Sequence, residues 1–198
     1  MCGIFAKNKP LLKMINLHLP SRISLSLSIL LSLILMSCSE KRQIQTELED
    51  MYCHTFCLSL DKMECKHSNV DSLAAEVNIK WRYTYVQYVD SFQCSPCTLN
   101  KMYQWNEYID RQHKKGVRFV FIFEPSRAVL EDVYLAIESS GLKNPIYVDT
   151  ACVFKKENEC ISDDIKYHSF LLDDKSKILV VGNPLFNKKI EKLMDKTI

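Results

Sequence analysis

The chain has 198 residues, 47% of them hydrophobic and 25% charged, with a formal net charge of +2 and nine cysteines. Basic and acidic residues are interspersed rather than clustered, which excludes the basic face that binding to nucleic acid requires. So many cysteines in a chain of this length put thiol chemistry ahead of other readings.

Residues 1–38 contain no acid and four basic residues, Lys7, Lys9, Lys13 and Arg22, followed by an uninterrupted apolar and serine run over 23–36. That run is 14 residues, whereas a helix needs roughly 20 to cross a bilayer, so the pattern predicts a signal peptide over 1–37 rather than a membrane span. It ends in Leu35-Met36-Ser37-Cys38, which resembles a bacterial lipobox: an aliphatic residue three before the cysteine and a small one just before it. The resemblance implies cleavage ahead of Cys38 and lipid on that residue. Residues 14–38 alone have the proportions of a complete lipoprotein signal, so residues 1–13 read as an over-called start. Beyond the leader, 39–198 holds 22 basic and 24 acidic residues and is nearly neutral.

Seven cysteines lie in the exported part, an odd number, so at least one thiol lacks a partner within the chain. An oxidising compartment allows structural disulfides, and Cys152 with Cys160 can close one across a polar loop. The sequence leaves the pairing of these two, and of Cys53, Cys57 and Cys65, open.

Residues 38–77 read as a polar tether followed by an N-terminal helical segment, with helical spacing at Ile44, Leu48, Met51, Tyr52 and Phe56 predicting a helix over 44–60. Residues 81–89 are aromatic and β-branched, a strand. A helix over 99–114 stops near Gly116, and 117–123 is a nearly continuous apolar strand suited to burial on both faces. A helix over 127–140 ends at Gly141, and a short strand follows at 146–148. Two strands at 168–172 and 178–181, joined by Asp173-Asp174-Lys175-Ser176, read as a hairpin. A closing helix is expected over 186–194. Crossover rules turn this order into an α/β fold: a central mixed sheet, with a parallel core plus an antiparallel hairpin, flanked by helices on both faces.

At the first strand-to-helix junction stands Cys94-Ser95-Pro96-Cys97. A thiolate there is stabilised by unpaired backbone N–H groups, so Cys94 is expected to ionise below the range of a free thiol, and Cys97 is within reach to resolve a mixed disulfide. Pro96 stiffens the first turn without removing a needed donor. The placed motif, the element order and Ser169-Phe170-Leu171-Leu172-Asp173 together resemble the thioredoxin-like TlpA/ResA type (AhpC/TSA-related) of thiol-disulfide oxidoreductase, found as lipoproteins in Bacteroidetes. The resemblance covers 78–198 and implies a thioredoxin-like domain there, with an N-terminal helical extension before it.

Three positions depart from that family. Its cis-proline falls on Tyr167, where a cis bond would cost about 3 to 4 kcal/mol, so a trans bond and a reshaped groove are expected. The aromatic usual before the first cysteine is replaced by Gln93, with Phe92 one residue earlier. The buried carboxylate six residues before the nucleophile is Tyr88, while Asp90 is expected at the strand's end. Glu124, ending the second core strand, becomes the candidate acid/base. The expected substrate groove comprises Phe92, Gln93, Ser95, Pro96, Tyr167 and His168.

The resulting expectation is a lipid-anchored oxidoreductase of the cell envelope, facing the periplasm from the outer membrane. It would need no cofactor and would exchange disulfides with envelope proteins through Cys94 and Cys97. A peroxidase is disfavoured by the lack of a Thr-x-x-Cys site. One alternative is a copper- or zinc-handling module using Cys94, Cys97 and His168, a ligand set similar to that of Sco-type proteins. Another is a lipoprotein whose disulfide is static. A weaker metal candidate is Cys53, His54 and Cys57 with Cys65 and His67, although such cysteines are more often small apolar residues on a buried helix face. His113 is expected on a helix surface, and Tyr103, Trp105 and Tyr108 in packing.

Overall fold

A computed structural model describes residues 42, 44–69 and 81–198. The expected leader, the lipidation site Cys38, most of the tether and Asn78, where the domain was placed to begin, lie outside these residues. Among the described residues, no helix is long and apolar enough to cross a membrane.

The elements are α1 (44–53), β1 (Glu64–Lys66), β2 (Tyr83–Val89), α2 (Ser95–Leu99), α3 (Trp105–His113), β3 (Val117–Phe123), α4 (Leu130–Ser139), β4 (Ile146–Val148), α5 (Val153–Glu157), β5 (Ser169–Leu172), β6 (Ile178–Val181) and α6 (Lys188–Thr197). They form one six-stranded sheet in the order β1-β4-β3-β2-β5-β6. The inner strands β2, β3 and β4 run parallel, with Val89 beside Phe123 and Phe123 beside Val148. β5 pairs antiparallel with β2, and β6 with β5, giving the expected hairpin. Its turn is closed by Asp173, whose Oδ1 accepts from the backbone N–H of Lys175 and Lys177, while Ser176 takes a left-handed conformation at φ 60°.

Period-2 alternation sorts the buried strand residues to two faces. Tyr85, Val89, Phe119, Phe121 and Phe123 pack under α3 and α4 with Trp105, Tyr108 and Val133. Val86, Tyr88, Val120 and Ile122 meet Phe154, Phe170 and, from the N-terminal segment, Met51, Phe56 and Met63. Both faces of the parallel core are thereby covered, as its largely apolar strands require.

Four local features differ from the expected ones. The helix expected over 99–114 is broken into α2, a 3₁₀ turn at Met102–Gln104 and α3. Leu99, Met102 and Trp105 are all buried, at a spacing of three that a 3₁₀ turn keeps on one face and an α-helix of 3.6 residues per turn does not. The helix at 44–60 stops at 53. Beyond it Asn158, fully buried, mimics a backbone partner for Cys57: its Oδ1 accepts from the Cys57 N–H and its Nδ2 donates to the Cys57 carbonyl, each at 2.8 Å. β1 and α5 are additional. The Glu-Cys-Lys of β1 carries no apolar signal and forms only as an edge strand against β4, with Cys65 opposite Tyr147. His113 is buried against Trp81 and Phe119, at ring separations of 5.2 and 5.8 Å, rather than surface-exposed.

The short helix α5 is started by Asp149, which is 1% exposed and accepts from the N–H groups of Val153 (2.9 Å) and Phe154 (2.7 Å). Two first-turn donors with no intrahelical partner thus find a carboxylate. Asp149→Ala leaves both without this acceptor, that of Phe154 in a buried position, and is expected to destabilise the fold by about 2 kcal/mol, read as a lower urea midpoint at unchanged m-value.

Candidate active site

The parallel strands β2, β3 and β4 deliver three carboxylates to one edge of the sheet, because an acid follows the last residue of each: Asp90, Glu124 and Asp149. All are buried, at 3%, 6% and 1% exposure. The register is fixed by backbone bonds from Glu124 N to Val89 O and from Asp149 N to Phe123 O, both 2.8 Å. Glu124 Oε2 accepts from the Tyr88 hydroxyl at 2.6 Å. Burial, then the hydrogen bond and charge of Glu124, push the Tyr88 phenol well above its usual range. Cys152, at φ 55° in the left-handed region, places its thiol beside the same carboxylate. Burial raises this thiol, and the Glu124 charge raises it further.

The chain leaves β2 through a turn in which Asp90 Oδ1 accepts from Phe92 N at 3.1 Å and Asp90 O from Gln93 N at 3.2 Å. It then enters α2 at Cys94, whose carbonyl accepts from Thr98 N at 3.1 Å. Cys94 and Cys97 are joined by a disulfide, with Cα atoms 5.3 Å apart, and both residues are exposed. Ser95 between them is buried, its hydroxyl without a protein partner. α2 has five residues, so polarisation by a long helix contributes little at Cys94 and the local N–H groups carry what stabilisation there is.

The disulfide opens onto a groove of about 470 Å³, lined with it by Phe92, Gln93, Lys101, Trp105, Ile165 and Phe186 among others. Phe92, Ile165 and Phe186 are exposed, at 89%, 55% and 69%. Of the residues expected to form the groove, Phe92 and Gln93 line it with the two cysteines, whereas Ser95, Pro96, Tyr167 and His168 are not in its lining. The described peptide bonds are all trans, that before Tyr167 included. Tyr167 ends a 3₁₀ turn, Ile165–Tyr167, that packs its ring against the core and turns Ile165 to the groove instead. Nor does Glu124 line the groove; it lies under Tyr88.

His168 is 2% exposed. Its Nε2 donates to the Ser162 carbonyl at 2.7 Å, and its Nδ1 lies 3.3 Å from Gln93 Nε2 and 3.9 Å from Asp90 Oδ2. With both nitrogens so engaged, the set Cys94, Cys97 and His168 is not assembled as a ligand set. Among the described residues no group of three or more His, Cys, Asp or Glu side chains is placed to hold a metal ion. Cys53, Cys57 and Cys65 are free, and exposed rather than packed on a helix face. The Cys152–Cys160 disulfide is not formed: α5 lies between the two thiols, Cys152 faces Glu124, and Cys160 packs against the core.

The grouping of Tyr88, Glu124 and Cys152, and the role of Asp149, were not foreseen from the sequence. A signal for the carboxylates exists in it: Val89-Asp90, Phe123-Glu124 and Val148-Asp149 repeat one pattern, an apolar strand closed by an acid.

No protein-family model matches the chain, and no curated protein matches it. Solved structures similar to it include a putative thiol:disulfide interchange protein DsbE from Chlorobium tepidum, at 16% identity and a TM-score of 0.43, covering 68% of this chain and 97% of that one. The exposed lipoprotein thioredoxin of Streptococcus pneumoniae is 18% identical with a TM-score of 0.41, covering 61% and 87%. A peroxiredoxin Q from Xanthomonas campestris is 13% identical with a TM-score of 0.43, covering 61% and 83%. The α/β fold, with its mixed sheet and the disulfide at the end of the inner strand β2, rests on the strand order itself.

Proposed function

We propose that this chain is a thiol-disulfide oxidoreductase of the cell envelope, tethered by lipid on Cys38 and exchanging disulfides with envelope proteins through Cys94 and Cys97. The observation that carries the reading is the Cys94–Cys97 disulfide itself: exposed, at the end of an inner strand, and opening on a groove with an apolar rim. A structural disulfide has no need of such a setting. The leader with its lipobox-like end supports the tether and the compartment.

In the oxidising direction a client thiolate attacks Cys94 Sγ, the bond to Cys97 breaks, and the electron pair leaves on Cys97 Sγ, which takes a proton. The client's second thiolate then attacks its own sulfur in the mixed disulfide and releases Cys94. The client dithiol becomes a disulfide and the pair a dithiol; the reducing direction is the reverse. Water in the open groove supplies the proton to Cys97, since Glu124 does not line that space. Phe92, Ile165 and Phe186 offer a client apolar contacts around the reacting sulfurs.

The test is to equilibrate the full chain in glutathione buffers and count alkylated Cys94 and Cys97 by mass. Interconversion between about −100 and −300 mV is expected. A pair that stays oxidised at far lower potential is a static disulfide and sinks the reading. In the same preparations, a Cys38→Ser chain that still takes up labelled fatty acid and still partitions with membranes removes the tether.

A further inference from the structure

Beneath the groove lies a pair of buried ionisable groups that the exchange chemistry above does not use. Asp90, 3% exposed, accepts one hydrogen bond, from Phe92 N. A carboxylate so far from water is costly unless a cation or further donors face it. The group facing it is His168 Nδ1 at 3.9 Å. Because a carbonyl only accepts, the 2.7 Å contact to Ser162 O fixes Nε2 as an N–H, and the protonation state of this histidine is decided at Nδ1 alone.

Nδ1 also meets Gln93 Nε2 at 3.3 Å, and Gln93 precedes Cys94 and lines the groove with both cysteines. With Nδ1 unprotonated, the Gln93 amide donates to it. With Nδ1 protonated, it is itself a donor, so the Gln93 amide N–H can no longer donate to it and the nearest carboxylate is Asp90. The state of one buried nitrogen is thus linked to the conformation of the residue next to the reacting sulfur.

We propose that His168, paired with Asp90, is a positioning residue whose Nδ1 takes up a proton when the Cys94–Cys97 disulfide is reduced, its charge offsetting that of the Cys94 thiolate. This rests on the oxidoreductase reading. The step balances: a client dithiol gives two electrons and two protons, one proton goes to Cys97, one to His168, Cys94 remains a thiolate, and the client leaves as a disulfide. The other groups facing His168 set the background. The Tyr88 ring stands at 5.1 Å, with Glu124 on its hydroxyl. Asp163 and Asp164 lie near it on its own loop. Glu47 of α1 reaches Ser162 Oγ at 2.7 Å, and Lys155 of α5, paired with Asp163, also faces Asp90.

The experiment measures the exchange constant of the full chain with glutathione at pH 6, 7 and 8, for wild type, His168→Asn and Asp90→Asn. Asn at 168 can still meet Gln93 but cannot take a second proton; Asn at 90 keeps the turn to Phe92. Two glutathiones release two protons, so a wild-type pair that takes up both gives an exchange constant level in pH; in each variant the reduced state binds one proton fewer, and the constant is expected to rise by up to tenfold per pH unit, about 30 mV for this two-electron couple. A merely structural role lowers stability and leaves the slope unchanged. A second readout needs no variant: the C2 proton of His168, followed by NMR, titrates at higher pH in the reduced chain than in the oxidised one. Equal slopes in all three chains, or a His168 titration indifferent to the disulfide, overturns the proposal. A wild-type pair that never reduces overturns the oxidoreductase reading instead.

Discussion

A Cys94→Ser chain loses exchange with protein disulfides by more than about a thousandfold, because a serine hydroxyl is not ionised near neutral pH and cannot carry the sulfur chemistry. The Cys97→Ser chain fails differently. Its Cys94 still attacks a client disulfide, but nothing resolves the product, so a covalent complex accumulates and is released by dithiothreitol. The two variants must be compared because both residues are exposed in the fold, so accessibility does not separate attacker from resolver. What separates them is position: Cys94 caps α2 ahead of its unpaired N–H groups and follows Gln93, whereas Cys97 lies within the helix. Anaerobic incubation with a disulfide-bonded client, followed on a non-reducing gel, reads the outcome. A Cys94→Ser chain that captures the client through Cys97 as readily as Cys97→Ser does through Cys94 reverses the assignment.

The parts of this fold that were legible in the sequence are those where one local signal decides the matter. The six apolar residues of β3, interrupted only by Arg118, could only be an inner strand, and its expected bounds coincide with the observed ones. Asp173 and Ser176 gave the hairpin turn away, since short polar side chains close turns and tolerate left-handed backbone. The helix after the motif was legible as a helix and not as a broken one, because Leu99, Met102 and Trp105 satisfy a three-residue spacing that matters only once a sheet lies beneath them. β1 exists through a distant partner, β4, and no window of local sequence contains both halves, whereas α5 hangs on Asp149 only four residues before Val153, an acid that reads locally as part of a loop. The same division runs through the site. Cys94 and Cys97 are four residues of chain and were found at once. His168 was expected near them, yet its partners, Asp90 and Gln93 on one side and Ser162 on the other, turn it from a metal ligand into a buried hydrogen-bonded group.

Raising the pH above about 10 unfolds this protein cooperatively, and three tyrosines carry most of the effect. Tyr85, Tyr88 and Tyr108 are 0%, 1% and 2% exposed. Burial holds each phenol above its ordinary value of 10, with Glu124 adding to the shift at Tyr88 and Asp195 and Glu191 at Tyr108. The folded state therefore keeps them protonated where the unfolded chain ionises. A group raised in this way gives stability that is fully present below its unfolded value and is lost as pH climbs towards its folded one. In that window each phenol costs about 1.4 kcal/mol per pH unit, so the three together remove about 4 kcal/mol per unit. Against a typical total stability of about 5 to 15 kcal/mol, about one to four units suffice, which places the midpoint roughly between pH 11 and 14. Phenolate absorbance and circular dichroism followed through the same titration distinguish this from ordinary surface ionisation. Ionisation at the surface is expected while the circular dichroism is still native, and that of the buried three only together with its loss. Complete phenolate formation in a chain that retains its native spectrum contradicts the burial of these rings. Tyr85→Phe, which removes one of the three ionisable hydroxyls and leaves the ring in place, is expected to shift the midpoint upward.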